Sequence, residues 1–324
     1  MEDDNQFQEN LLDDKAIASG SRPTSSNDGE WSFVGKVGAL IGIFIGCALL
    51  GSFLLIVCML MGGADLTSGF DIFGSMDDPT MRPFAKAGIG FNHLSMFALT
   101  AIIFAFAIKG AEWKSYFSFN DVDAALVWKF VLLLVLAYPL IGISAMAFEH
   151  IDLPEWMDSL DEQSIDSLMS ILSMNSVADL LINLLIIAVL PAIGEELLFR
   201  GVIQRELVKV MDNPHIAILL ASIIFSAVHM QIQGFLPKLI IGLILGYAYY
   251  WTKSLWIPML LHFINNSVPT FMLYWAGDDI EGLEAQAQSP QLIPMIALVA
   301  ISCFLCYLMV NNIKTQVDQS SPQV

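Results

Sequence analysis

Four side chains in this chain have the types and spacing that hydrolytic chemistry needs. Glu195 and Glu196 end an uncharged run from Leu180 to Gly194. Ionisable residues at the edge of an apolar helix are costly, and they mark functional sites by default. Arg200 follows four residues after Glu196. On a helix those two share a face and pair, which holds one carboxylate charged. Glu195 is rotated about 100° away and lacks that partner. It stays free to take up a proton, as a general base must. Pro191 removes a backbone donor and frees the carbonyl of Ile187, and Gly194 leaves space beside the acids. Both features favour entry of water or of a substrate backbone.

The second element is Phe225 with His229. Asn213-Pro214 marks a turn between two helices. Glu195 lies 17 residues before Asp212 and His229 lies 17 after it. Two antiparallel helices hinged there carry both side chains to one depth, about 25 Å from the turn. The third element is His262 with Asn266, four apart and on one face, with Asn265 beside them. A His and an Asn can donate two hydrogen bonds to a developing oxyanion. Such a pair can equally serve as interhelical glue. Three polar constellations on three helices argue for a site rather than for glue alone.

These residues must be positioned by helices in a membrane. The chain has 324 residues, 56% hydrophobic and only 14% charged, far from soluble usage. Five apolar segments approach spanning length: Val37 to Met61, Ala87 to Ile108, Phe130 to Phe148, Leu255 to Trp275 and Leu292 to Val310. Three shorter ones are Leu180 to Gly194, Ile216 to Met230 and Leu239 to Trp251. Backbone groups in lipid must be satisfied internally, so helices are expected. The fold class is therefore all-α, a polytopic transmembrane bundle of about eight helices. Residues 1–32 read as an acidic disordered cytoplasmic tail and 33–150 as three N-terminal transmembrane helices. Residues 151–176 read as an acidic amphipathic surface segment and 177–275 as a four-helix catalytic core. Residues 276–324 hold a loop, the last helix and a polar tail.

Orientation follows Lys and Arg rather than net charge. With eight alternating helices and a cytoplasmic N-terminus, eleven basic residues lie inside: Lys15, Arg22, Lys36, Lys109, Lys114, Lys129, Arg200, Arg205, Lys209, Lys253 and Lys314. Only Arg82, Lys86 and Lys238 lie outside. Both termini are thus expected in the cytoplasm; the membrane expected is a bacterial inner membrane. The net charge of −18 gives no reason to expect a nucleic-acid partner. Cys303 and Cys306 have C-x-x-C spacing but lie, like Cys47 and Cys58, inside apolar helices, where they read as packing residues. Gly38, Gly42 and Gly46 recur on one face of the first helix and read as a packing stripe. The second helix contains Asn92 and His93, and the lone His there reads as an interhelical hydrogen-bond partner rather than a ligand.

Taken together, E-E-x-x-x-R (Glu195, Glu196, Arg200), F-x-x-x-H (Phe225, His229) and H-x-x-x-N (His262, Asn266) resemble the three ordered motifs of the CPBP family. That family comprises type II CAAX prenyl endopeptidases and bacteriocin-processing enzymes. The run from Gly246 to His262 resembles the link between its last two motifs. The resemblance covers roughly residues 177 to 275. It implies a glutamate-type intramembrane endopeptidase acting on a membrane-associated or lipidated peptide or protein. In that scheme Glu195 and His229 activate water, and His262 and Asn266 stabilise the oxyanion. Glu196, Arg200 and Phe225 support the site. No cofactor is expected. A zinc-dependent protease of the same fold is the alternative, since Glu and His can ligate zinc, but H-E-x-x-H is absent. Two non-proteolytic readings are a membrane protein that binds, or gives immunity to, bacteriocin-like peptides and a transporter using Glu195 as a proton site. The transporter reading predicts an inverted repeat, which the sequence does not show.

Overall fold

The computed structural model describes residues 31–65, 78–146, 174–276 and 292–320, with isolated positions between 154 and 172. The acidic tail, most of the acidic surface segment and the loop 277–291 lie outside the described residues. The described residues form eight helical rods. They are α1 (Phe33–Gly62), α2 (Arg82–Tyr116), α3 (Ala124–Ala145), α4 (Val177–Val210), α5 (Pro214–Ala227), α6 (Phe235–Thr252), α7 (Trp256–Ala276) and α8 (Leu292–Ser320). The protein is a helical membrane bundle. By length and apolarity α1, α2, α3, α4 and α8 can each cross a bilayer. The other three are shorter or carry the polar residues of the site. Large apolar side chains face outward where lipid replaces water, including Leu49 and Phe53 on α1, Trp128 on α3 and Phe304 on α8.

Local chemistry sets the helix ends. Ser32 caps α1 by accepting from the Gly35 amide, and Gly63 closes it in the left-handed conformation at φ 98°. Asp123 caps α3 and Ser176 caps α4. Asn213 caps α5 by accepting from the His215 amide, with Pro214 in the first turn. Here the expected Asn-Pro hinge folds α5 back along α4.

Two aromatic and aliphatic cores hold the rods together. One joins Phe104, Tyr116, Leu198, Val202 and Leu255. The other joins Phe130 and Leu134 of α3, Leu245 of α6, Leu261 of α7 and Ile313 of α8. Polar ties gather one end of the bundle. Glu206 near the end of α4 accepts from Lys36 Nζ at the start of α1 (2.9 Å), Tyr116 Oη at the end of α2 (2.8 Å) and Lys209 Nζ (2.8 Å). Lys129 near the start of α3 donates to Gln316 near the end of α8. The start of α1 and the end of α8 therefore share one end of the molecule, where Lys36, Lys129, Arg205 and Lys209 also lie.

Helix α4 runs parallel to α2. Lys86 donates to Asn183 at 2.7 Å, Gly90 faces Leu190, Gly194 faces Phe97 and Ala98, and Gly201 faces Phe117. The expected glycine stripe on α1 does not pack: a Cβ at Gly38, Gly42 or Gly46 would meet nothing within 4 Å. That face points to the lipid side. The close approach occurs instead at Gly51, where a Cβ would lie 2.9 Å from the Asn92 carbonyl oxygen and 3.0 Å from its Cα. Gly51→Ala must push α2 away from α1, because backbone atoms cannot rotate aside. Overpacking of this kind costs about 1–3 kcal/mol, more than the roughly 1 kcal/mol gained in helix propensity. A lowered midpoint of thermal unfolding in nanodiscs is expected, whereas Gly42→Ala should leave the midpoint unchanged or raise it.

Candidate active site

Glu195 and Glu196 sit in the α-helical stretch between two wide π turns of α4, Leu184–Val189 and Phe199–Gln204. Each π turn shifts the helix phase and leaves backbone groups to be satisfied from outside, a frequent feature of functional sites. Pro191 supplies no N–H for the Ile187 carbonyl. That oxygen instead accepts from Asn266 Nδ2 of α7 at 3.1 Å. Asn265 Nδ2 donates to Asn266 Oδ1 at 3.1 Å and fixes the amide's orientation. One Nδ2 hydrogen of Asn266 is thus engaged with the helix it faces.

The expected Glu196–Arg200 pair forms, with Nη1 to Oε1 at 2.7 Å and both side chains essentially inaccessible. A buried charge pair must be completed by further hydrogen bonds. Arg200 Nη2 donates to the Gly242 carbonyl at 3.0 Å, and its guanidinium stacks 4.6 Å from the Phe225 ring centroid. Glu196 Oε1 also meets His262 Nδ1 at 2.8 Å. A carboxylate can only accept, so Nδ1 is the donor and the Nε2 edge of His262 is turned to the site. Phe225 packs edge-on against both His229 (5.1 Å) and His262 (5.8 Å). It is the floor on which both imidazoles and the guanidinium rest.

Glu195 has no such partner. Its Oε2 is buried and unbonded, facing His229 Nε2 at 3.8 Å and His262 Nε2 at 4.0 Å. The Nδ1 of His229 contacts the Phe225 carbonyl at 2.8 Å, so Nδ1 carries the proton and Nε2 presents a lone pair toward Glu195. His229 sits in the turn after α5, beside Met230 in the left-handed conformation at φ 55°. With 27% of its side chain accessible, it is the most open of these groups. The equal spacing about Asp212 therefore does bring acid and imidazole to one depth. Separations near 4 Å are too long for direct bonds and suit one bridging water.

One neighbour was not anticipated. His93 of α2 lies with Nε2 3.5 Å from Glu195 Oε1. Read as a lone imidazole beside Asn92, it gave no spacing signal toward Glu195. Its place depends on α2 packing parallel to α4, which no local pattern encodes. Its neighbour Asn92 points to Ser52 on α1 at 3.5 Å.

The model of the "Type II CAAX prenyl endopeptidase Rce1-like" family matches residues 177–268, which hold all seven residues singled out in the three motifs. YpbD of Bacillus subtilis (strain 168), a protein of uncharacterised function, is 30% identical over 174 residues, 52% of this chain and 82% of its own. The chain belongs to the CPBP family. YdiL of the same organism, whose name carries a provisional membrane-peptidase assignment, is 29% identical over 111 residues, 34% of this chain and 44% of its own. No solved structure matches. The matched CPBP segment is α4 through most of α7. It contributes Glu195, His229, His262 and Asn266, while His93 comes from outside it.

Proposed function

We propose that this protein is an intramembrane endopeptidase in which Glu195 and His229 activate a water molecule. The observation that carries the proposal is the contrast between the two adjacent acids. Each acid has a buried, unbonded Oε2, but Glu196 is held through Oε1 by Arg200 and His262 at 2.7 and 2.8 Å, whereas Glu195 meets only imidazoles at 3.5–4.0 Å and its Oε2 faces two Nε2 edges. A water held between Glu195 Oε2 and His229 Nε2 gives up a proton to Glu195 as its oxygen attacks the scissile carbonyl carbon. The carbonyl π electrons move to oxygen. That oxyanion takes hydrogen bonds from His262 Nε2–H, in the imidazolium form that the Glu196 carboxylate balances, and from the second Nδ2 hydrogen of Asn266. Collapse of the intermediate breaks the C–N bond, and the proton on Glu195 passes to the leaving amine. The products are a new carboxylate and a new amine.

The substrate is a membrane-associated or lipidated peptide or protein, because the reacting groups sit within the helical bundle. The bundle end bearing Lys36, Arg205, Lys209 and Lys253 is assigned to the cytoplasm by the positive-inside rule. The start of α1 and the end of α8 lie at that end. The setting proposed is a bacterial inner membrane. Mapping protein termini by mass spectrometry in membranes of cells carrying wild type or Glu195→Gln tests the function. Termini made only with wild type name the substrate. Identical maps, with both proteins folded and equally abundant, would remove the protease reading in favour of peptide binding or immunity.

Water activation is assigned to protein groups alone. On this reading, treatment of the purified protein with 1,10-phenanthroline and EDTA leaves cleavage within about twofold of the untreated rate. Loss of activity that returns on adding zinc would replace this mechanism with a metal-dependent one.

A further inference from the structure

We infer that His93, contributed by α2, is a positioning residue that holds Glu195 Oε1 and so reserves Oε2 for the reacting water. The inference rests on the protease reading and adds a residue from outside the matched family segment.

The two oxygens of Glu195 have different surroundings. Oε2 faces His229 and His262 at 3.8 and 4.0 Å, and Oε1 faces His93 at 3.5 Å. His93 Nε2 is buried and has no hydrogen-bond partner. A buried ring nitrogen without a partner is costly unless something completes it, and Glu195 Oε1 is the acceptor beside it. Apo catalytic contacts are often long and tighten when substrate binds, and a shift of about 0.5 Å closes this one to a hydrogen bond.

The surrounding fold is built to make this approach. Gly90 and Gly194 are the contact points of the α2–α4 seam on either side of His93. A Cβ at Gly90 would meet Leu190 at 3.3 Å, and one at Gly194 would meet Phe97 at 3.2 Å and the Ala98 amide nitrogen at 3.4 Å. Immediately after His93, α2 opens into a π turn, Ser95–Leu99, that turns Phe97 back onto the imidazole at 4.6 Å between centroids. Phe97 also packs on Phe199 of α4. The ring of His93 is thereby clamped with Nε2 toward the acid.

The physical role follows from carboxylate geometry. A carboxylate free to rotate about its terminal torsion presents either oxygen to water, and that torsion is soft. A donor on Oε1 removes the degeneracy and orients the attacking water toward His229. Such orientation is worth a large rate factor when lost, because small misplacements of reacting groups cost about 100-fold.

The test uses the full-length protein in nanodiscs and a fluorescence-quenched peptide spanning a cleavage site mapped as above. His93→Leu keeps bulk but removes the donor, and His93→Gln keeps an N–H donor. We expect His93→Leu to lower kcat by about 30- to 100-fold with KM changed less than about threefold, and His93→Gln to recover at least about tenfold of that loss. Equal thermal midpoints for the variants and wild type exclude a packing defect as the cause. Equal kcat for all three proteins, or Leu and Gln variants impaired alike, would overturn the positioning role. Glu195→Gln is assayed in parallel. If it cleaves as fast as wild type, the protease mechanism fails. If it is dead while His93→Leu is fully active, only the present inference fails.

Discussion

Glu195→Gln is expected to reduce kcat/KM for cleavage by about 10³-fold or more, while the protein folds and inserts as before. General-base catalysis contributes about 10²–10⁴-fold, and a 10³-fold loss corresponds to about 4 kcal/mol at the transition state. The amide cannot take a proton from water, yet it matches the carboxylate in shape. The fold has little to lose, because Oε2 of Glu195 has no hydrogen-bond partner and the carboxylate meets its imidazole neighbours only at 3.5–4.0 Å. Replacing a buried, unbonded carboxylate with a neutral amide should leave the unfolding midpoint equal or raise it. A rate within about threefold of wild type would show that Glu195 is not the base. Steady-state cleavage of a mapped substrate peptide and thermal unfolding of the same nanodisc preparations supply both readings.

Arg200→Met is expected to have the largest effect on stability. Arg200 is 1% exposed, and its guanidinium serves three partners at once: Glu196, the Gly242 carbonyl and the face of Phe225. Breaking a buried pair by removing one partner costs about 3–5 kcal/mol, because the remaining charge is uncompensated. Here Glu196 would keep only His262 Nδ1, and the Gly242 oxygen would lose its side-chain donor. A fall in thermal midpoint and in membrane yield should follow. The double variant Glu196→Gln with Arg200→Met discriminates the cause. Removing both charges together is often close to neutral, so the midpoint should recover by more than half. Cleavage should not recover, because a neutral amide at position 196 no longer balances an imidazolium at His262. A single variant as stable as wild type would show that Arg200 does not hold α4 against α6.

The fold class could be read directly from the chain, since long uncharged runs admit only helices in lipid. So could the Glu196–Arg200 pair, because four residues on one helix fix a contact whatever surrounds it. The common depth of Glu195 and His229 was legible for a similar reason. Counting outward from an Asn-Pro hinge needs only the rise per residue and the antiparallel return of α5. The open carbonyl of Ile187 followed from Pro191 alone.

Which group closes that carbonyl was a matter of packing, because Asn266 and Ile187 are 79 residues apart and meet where α7 lies on α4. The same holds for His262, whose Nδ1 is engaged by Glu196 across 66 residues. It holds most of all for His93. Whether an imidazole in an apolar helix is glue or part of a site depends on which neighbour its helix packs against and at what register. That register is set by Gly90 and Gly194 at the seam and by π turns in both rods, Ser95–Leu99 in α2 and Leu184–Val189 in α4. Glycine spacing misled on α1 for a related reason. A stripe of small residues permits close approach, but the partner that uses it is chosen by the whole bundle, and here α2 settles on Gly51.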